Sequence, residues 1–323
     1  MNSEIVVLGS INMDFTVYGQ RLPQPGETLH AERYAMALGG KGCNQAVAAH
    51  RLGGRVDLVG RLGDDVFGAM ARRQITELGL ADQYVAADPE HDTAIAMIAV
   101  AEGGENCISV VGGANLALTQ SHVDLWPEVF DRAGILLLQL EIPPAASAHA
   151  AARVRAAGGR VILDPAPVPP GASIPAALLQ ATDIVTPNEG ETEALVGLRP
   201  ETPEAAAEAA RRLQQMGPAS AVVTMGAGGV YYAAPEGQGF VPPFAVSAVD
   251  SVAAGDCFNG GLAFALARGD EIGAAVRFAA ACGALATTRP GGAAAAPGEG
   301  PEGEGKKLKK KKTPKPPPPR TGP

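Results

Sequence analysis

The chain has 323 residues, 46% of them hydrophobic and 19% charged, enough apolar material for a large core in one α/β unit or about two average domains. Its formal net charge is −8, but eight of the 26 bases and only three of the 34 acids lie from Pro297 onward, so the first 296 residues carry 18 bases against 31 acids. A body that acidic argues against nucleic acid as the main partner, because phosphate binding leans on a basic face.

Residues 1–10 read MNSEIVVLGS, with an acid at Glu4 and no basic stretch ahead of the apolar run, so they do not look like a signal peptide. Residues 5–8 form the first short apolar run, and others stand at 135–140, 161–163, 184–185 and 221–224. Ala-rich stretches with good helix propensity, 145–157 and 204–216, lie between the later ones. Apolar strands alternating with helices predict an α/β fold: a doubly wound, mostly parallel sheet covered on both faces, with ligands at the carboxyl ends of the strands. Two segments interrupt that pattern. Residues 15–38 carry turn signals at Pro23 and Pro25-Gly26, and in residues 93–111 alternating runs flank Gly103-Gly104. Both read as antiparallel strands of a small separate β-sheet, a candidate lid on a single domain of residues 1–296. From Pro297 the chain turns to KKLKKKK and KPPPPR, which cannot bury enough apolar surface to offset its ordering, so residues 297–323 are expected to form a disordered tail. Cys43, Cys107, Cys257 and Cys282 are too scattered for a CxxC site, and no apolar segment reaches the roughly 20 residues of a membrane helix. A cytoplasmic protein with reduced thiols is expected.

Five segments can carry chemistry. Directly after the first strand, Gly9-Ser10-Ile11-Asn12-Met13-Asp14 puts Asn12 and Asp14 on the same side of an extended segment, where they can clamp neighbouring hydroxyls or simply favour a turn. Residues 38–44, LGGKGCN, surround Lys41 with glycines that let backbone approach a ligand closely, or else form a glycine-rich helix entry with a surface lysine. Two strand ends follow, TPNEGE at 186–191 and TMGAGG at 224–229. Asn188 and Glu191 can serve a hydrated Mg²⁺ and the glycine turn can admit a nucleotide, while either can equally be a helix cap or a tight turn. Last comes VDSVAAGDCFNGG at 249–261, where small residues precede Asp256 at the start of an apolar helix. The uncompensated N–H groups of such a start make an anion site, and Asp256 can cap the helix or take a proton from a hydroxyl aimed at the anion. No Walker A pattern occurs, which excludes a P-loop kinase.

Taken in order, GSINMD, PGET at 25–28, GGKGCNQAVAA at 39–49, QLE at 139–141, TPNEGE and VDSVAAGDCFNGG resemble the ribokinase branch of the PfkB carbohydrate kinase family, over about residues 5–292. The resemblance implies a ribokinase-like fold and ATP-dependent phosphorylation of D-ribose to D-ribose 5-phosphate. The alternatives are a related kinase of 2-deoxyribose or a nucleoside, and a catalytically weak sugar-binding protein. It implies that Asp256 is the general base, with the backbone of Ala254 and Gly255 in the anion hole. It places Asn12, Met13, Asp14, Gly40, Lys41, Gly42, Cys43, Asn44 and Glu141 around the sugar. Asn188, Thr224, Met225, Gly226, Ala227, Gly228, Gly229 and Ala280, with Gly255 and Asp256, would serve ATP. Glu191 would stand near Mg²⁺, and Asp250, Val252, Ala286, Arg289, Gly291 and Ala295 would surround a monovalent cation, normally K⁺. The lid would also build a homodimer interface. Ala295 replaces a serine common in the family, Ala280 a polar Asn or His, and the tail a final helix. At the positive end of a helix, Asp256 is expected to have a lowered pKa.

Overall fold

The short apolar runs are buried from both sides, and their alternate residues divide between two helical layers. The computed structural model describes residues 3–168, 173–289, 291 and 298, so Ala295 and, apart from Gly298, the tail from Pro297 lie outside the described residues. The chain opens with β1 (Glu4–Leu8), β2 (Asn12–Gly19), β3 (Arg33–Gly39) and α1 (Lys41–Arg51). Next come β4 (Val56–Gly63), α2 (Val66–Glu77), β5 (Val85–Asp88), β6 (Ala94–Ala101) and β7 (Asn106–Val111). Three short helices, α3 (Gly113–Leu116), α4 (Gln120–Val123) and α5 (Pro127–Asp131), lead to β8 (Ala133–Leu138). Strands and helices then alternate through α6 (Pro144–Ala156), β9 (Arg160–Leu163), α7 (Ala176–Gln180), β10 (Ile184–Val185) and α8 (Glu189–Val196). The chain continues with α9 (Pro203–Gln215), β11 (Ser220–Thr224), β12 (Val230–Ala234), β13 (Gly237–Val241), α10 (Ala254–Arg268) and α11 (Ile272–Ala286).

The main sheet has nine strands in the order β13-β12-β11-β10-β9-β8-β1-β4-β5. From β11 to β5 it is parallel throughout, and β12 and β13 add an antiparallel edge. Ile5, Val7, Ile135, Leu137 and Ile162 pack with α1, α2, α10 and α11, whereas Val6, Leu8, Leu136, Leu138, Val161 and Leu163 pack with α6 and α7. Helix starts are set locally: Asp65 accepts from the Gly68 N–H ahead of α2, and Thr202 accepts from the Ala205 N–H ahead of Pro203 in α9. The order reverses around β1, which has β4 on one side and β8 on the other, so the loops after β1 and β8 diverge and leave a crevice at their carboxyl ends.

The second sheet has the order β3-β2-β6-β7. Its outer pairs are antiparallel, but the central pair β2–β6 is parallel, unlike the wholly antiparallel sheet expected. The reason is topological: between β2 and β6 the chain passes through β3, α1, β4, α2 and β5, a crossover rather than a hairpin. The sheet also begins earlier than the turn signals indicate, at Asn12 rather than near Phe15, so Asn12 and Asp14 are themselves part of β2. Phe15 anchors it to α2 by an edge contact with Phe67, centroids 5.2 Å apart. Of the thirteen large hydrophobic residues exposed among the described residues, seven lie on this sheet: Val17, Tyr34, Met36, Met97, Ile108, Val110 and Val111. Among the described residues no helix is long and apolar enough to cross a membrane, and all four cysteines are free.

Candidate active site

The crevice at β1 and β8 is closed by the glycine-rich entry to α1. Gly40 precedes that helix with φ 87°, and a Cβ there would stand 2.8 Å from the Ser10 carbonyl oxygen, so only glycine makes the turn. A Cβ at Gly39 would come within 2.0 Å of Asp14 Oδ2, so the missing side chain is the space that the Asp14 carboxylate fills. Glu141, just beyond β8, caps the start of α1: its Oε2 accepts from the Lys41 N–H at 3.1 Å and from the Ser10 hydroxyl. Ser10 in turn accepts from the Gly42 N–H at 3.3 Å. Met13 and Cys43 are fully buried in the main core, and burial pushes the Cys43 thiol up to about 12, so their side chains pack rather than face a ligand.

Asp256 sits in the first turn of α10 and does not cap it. Its Oδ2 accepts from Asn44 Nδ2 at 2.9 Å and its Oδ1 from Gln45 Nε2 at 3.2 Å. The residue before the helix, Ala253, adopts φ 59°, a left-handed conformation that no other non-glycine among the described residues takes. The Ala254 N–H donates to the Ser251 carbonyl at 3.2 Å, whereas those of Gly255 and Asp256 reach no described acceptor. The open amides at this helix start are therefore those of Gly255 and Asp256, and a Cβ on Gly255 would meet nothing within 4 Å.

Behind Asp256 runs an ordered chain of amides. Carboxylates only accept, so Gln45 turns its NH₂ toward Asp256 and, at 2.8 Å, toward Asp164, while its Oε1 accepts from Gln139 Nε2 at 2.7 Å. Around Lys41 lie Asp164, Asp256, Glu141 and Glu191; burial disfavours its charge, but these four carboxylates outweigh that and hold the ammonium well above its ordinary value. Lys41 is thus a partner of the site and not a surface lysine. Burial raises the pKa of Asp256, although Lys41, Asn44 and Gln45 oppose it, which corrects the lowered value expected from the helix end. Burial likewise raises Asp164 well above the usual range, and lifts Asp14 to about 6 with help from Glu141 and Asp256. Asp14 Oδ1 and Asn44 Oδ1 are buried acceptors without partners among the described residues, each costing about 1–3 kcal/mol until a donor reaches it. Hydroxyl groups of a ligand are such donors.

On the other side of Asp256 the nucleotide candidates gather at the ends of β10 and β11. The Thr224 N–H donates to the Pro187 carbonyl at 3.0 Å, joining the two strand ends. Residues 226–228 form one 3₁₀ turn, and the N–H groups of Gly226 and Ala227 reach no described acceptor. Met225 is buried in a core cluster with Ala206 and Leu213, so it can offer only backbone. Asn188 and Glu191 form a reciprocal capping box at α8: Asn188 Oδ1 accepts from the Glu191 N–H at 2.9 Å, and Glu191 Oε2 from the Asn188 N–H at 2.9 Å. The capping role does not remove Glu191 from the site, since its carboxylate also faces Lys41 and Asp256, and burial raises its pKa. Ala280 lies half-buried on α11, against the main core. The carboxylate of Asp250 accepts from the N–H groups of Val252 at 2.9 Å and Gly291 at 3.1 Å, and the Ala286 carbonyl accepts from the Arg289 N–H at 3.3 Å, which brings that loop set together. Sequence reasoning missed Ser10, Gln45, Asn115 and Asp164. The first two lie inside motifs, and Asp164 follows an apolar strand at its carboxyl end, where ligands are expected.

The order of these motifs matches the family model for pfkB family carbohydrate kinases over residues 2–298. The chain belongs to that family. This pfkB family kinase is 35% identical to the ribokinase of Haemophilus influenzae over 297 residues, 92% of this chain and 96% of the relative. It is 33% identical to the deoxyribokinase of Salmonella typhi over 288 residues, 89% of this chain and 94% of the relative. Its fold matches the solved structure of Arabidopsis thaliana ribokinase complexed with ribose and ATP at a TM-score of 0.86 and 34% identity, covering 96% of this chain and 99% of that one.

Proposed function

We propose that this kinase transfers the γ-phosphoryl group of ATP to the primary hydroxyl of D-ribose, giving D-ribose 5-phosphate and ADP. The observation that carries the reading is the buried Asp256, held by Asn44 and Gln45 beside two open amides at the start of α10. Asp256 takes the hydroxyl proton as the sugar oxygen bonds to the γ-phosphorus, and the bond from that phosphorus to the ADP oxygen breaks. The amides of Gly255 and Asp256 meet the charge on the transferring group. Burial raises the basicity of Asp256 toward neutral pH, which suits proton transfer. Asp14 and Asn44 receive the remaining sugar hydroxyls, and the small sheet excludes water that would compete as acceptor. On the nucleotide side the turn at 224–229 and Asn188 bind ATP.

Four carboxylates around one lysine suit a site completed by a cation. Among the described residues no three His, Cys, Asp or Glu side chains are grouped to ligate a metal. Mg²⁺ keeps several waters and takes phosphate oxygens, so Asn188 and Glu191 would be its nearest protein groups. The carboxylate of Asp250 and the backbone carbonyls of Val252, Ala286, Arg289 and Gly291 are oxygen ligands of the kind K⁺ takes and would hold it. When bound, the two ions neutralise charge on the phosphates and beside the anion hole. The exposed apolar side chains of the small sheet form a surface that a second copy of the chain would cover, so a homodimer is part of the reading, as is a cytoplasmic location with free thiols.

The nearly equal similarity to a deoxyribokinase makes 2-deoxyribose the second candidate. The test is ADP release from Mg-ATP with each sugar, in K⁺ and in a bulky organic cation. Faster release with ribose, raised by K⁺, is expected; release with 2-deoxyribose alone would overturn the assignment. Asp256→Asn should lose about 10³-fold or more in kcat with sugar affinity nearly unchanged, and full turnover in that variant would remove Asp256 from the chemistry. A monomer by sedimentation at micromolar concentration would reject the dimer.

A further inference from the structure

Asn12 and Asp14 occupy one face of β2, two residues apart, and the family resemblance of the motif that carries them implies that both lie around the sugar. Asp14 offers a buried oxygen without a partner. What Asn12 offers depends on which end of its amide faces the ligand, and that choice is made by a residue outside every motif, Asn115. Asn115 lies on α3, immediately after the last strand of the small sheet, and only 2% of it is exposed.

Its own orientation is fixed by backbone. The Ile11 N–H donates to Asn115 Oδ1 at 3.1 Å, and Asn115 Nδ2 donates to the Ile11 carbonyl at 3.3 Å. A backbone N–H can only donate and a carbonyl can only accept, so the Asn115 amide has one satisfactory setting. The same NH₂ then donates to Asn12 Oδ1 at 2.8 Å. Asn12 must therefore turn its oxygen inward, and its NH₂ donates to no described residue. The ligand side of β2 accordingly presents a donor at Asn12 and an acceptor at Asp14. Two adjacent hydroxyls match that pair: one accepts from Asn12, and the other donates to Asp14. A sugar lacking one of the two leaves either the amide or the carboxylate without a partner in a buried site, and such sites discriminate strongly.

We infer that Asn115 is a positioning residue that sets the polarity of Asn12 and thereby selects a sugar with a vicinal diol over its 2-deoxy analogue. The inference rests on the proposed function, since it takes β2 to face the sugar. It also ties recognition to the small sheet. The Ala114 N–H donates to the Asp92 carbonyl at 2.8 Å, so Asn115 is anchored where the β6–β7 excursion both leaves and returns.

The experiment compares kcat and KM for D-ribose and 2-deoxy-D-ribose in the natural protein, in Asn115→Asp and in Asn12→Asp, with KM for ATP and a melting curve for each. Asn115→Asp keeps the acceptor for Ile11 but loses the NH₂, so Asn12 reverses and shows its oxygen to the sugar. Expected is a fall of about tenfold to a hundredfold in kcat/KM for ribose, mostly through KM, against less than about threefold for 2-deoxyribose, with KM for ATP unmoved. An equal fall on both sugars, or an unchanged ribose KM in a folded variant, would overturn the inference. Should Asn115→Asp fail to fold, Asn12→Asp presents the same outward oxygen with Asn115 intact. The same narrowing of preference supports the inference there, and an unchanged preference overturns it. A natural protein that uses neither sugar, or prefers 2-deoxyribose, defeats the substrate reading in the first arm, before any variant is compared, and this inference with it.

Discussion

At the end of the cleft proposed for the sugar, Asp14, Asn44, Glu141 and Asp256 present side chains, each held by another side chain or by the turn at residues 39–42. At the end proposed for the nucleotide, residues 224–229 offer backbone, closed by bonds between main-chain groups. The difference follows from what each end must tell apart. A sugar is recognised by the number and placement of its hydroxyls, which demands fixed donors and acceptors. A phosphate chain needs N–H groups and space, which glycine turns and helix starts supply with little dependence on side chains. Variants at the sugar end should therefore change selectivity and pH response, and those at the nucleotide end should mostly scale ATP affinity.

The sharpest break in that comparison is Gln45→Leu. It leaves Asp164 and Asp256 facing each other without the amide between them, and strands Gln139 Nε2. Turnover should fall about tenfold to a hundredfold, and the acid limb of the kcat profile should move to higher pH, because a carboxylate that loses a donor is easier to protonate. A fall with an unmoved limb would confine Gln45 to packing. Gly255→Ala separates fold from chemistry in one residue. Its Cβ meets no protein atom, so the melting temperature should hold or rise slightly, while the methyl group enters the space above the open amides and kcat drops about tenfold. Unchanged turnover would move the phosphoryl group away from that amide.

A third test uses pH alone. Asp14 is raised from 3.8 to about 6 in the folded protein, so between those values the folded state binds more protons than the unfolded one and its stability declines as pH rises. The carboxylate that accepts a sugar hydroxyl is lost in the opposite direction, below about 6. KM for the sugar should climb about tenfold per unit as pH falls under that value, with KM for ATP level, and Asp14→Asn should flatten the slope. A sugar KM level down to pH 5 would take Asp14 out of the sugar contacts. The smallest effect is at the other end: Ala280→Asn adds one polar group on α11 and should lower KM for ATP by about two- to fivefold, leaving sugar parameters alone. A change in sugar preference there would erase the division between the two ends.

Much of this arrangement is legible in the sequence because it is local. Apolar runs fix the strands of the main sheet, and motif glycines mark the turns at Gly39 and Gly40. The start of α10 is visible from the small residues before Asp256. What stays hidden depends on distance along the chain. Nothing near Asn115 points to Ile11, over a hundred residues away, and the parallel pairing of β2 with β6 depends on the path between them. The direction of the Asp256 shift stays hidden for a related reason. A helix end is a local feature and argues for a lowered pKa, but the burial that outweighs it comes from α1 and the main sheet packing over the site.

β2 runs for eight residues without interruption from Asn12 to Gly19, so the groups proposed to grip the sugar and the strand bearing exposed Val17 are a single stiff rod, about 26 Å long. A rod has no slack. Where a second copy of the chain covers its outer half, filling the pocket and seating the neighbour become two loads on one beam, and each must tighten or loosen the other by the same factor.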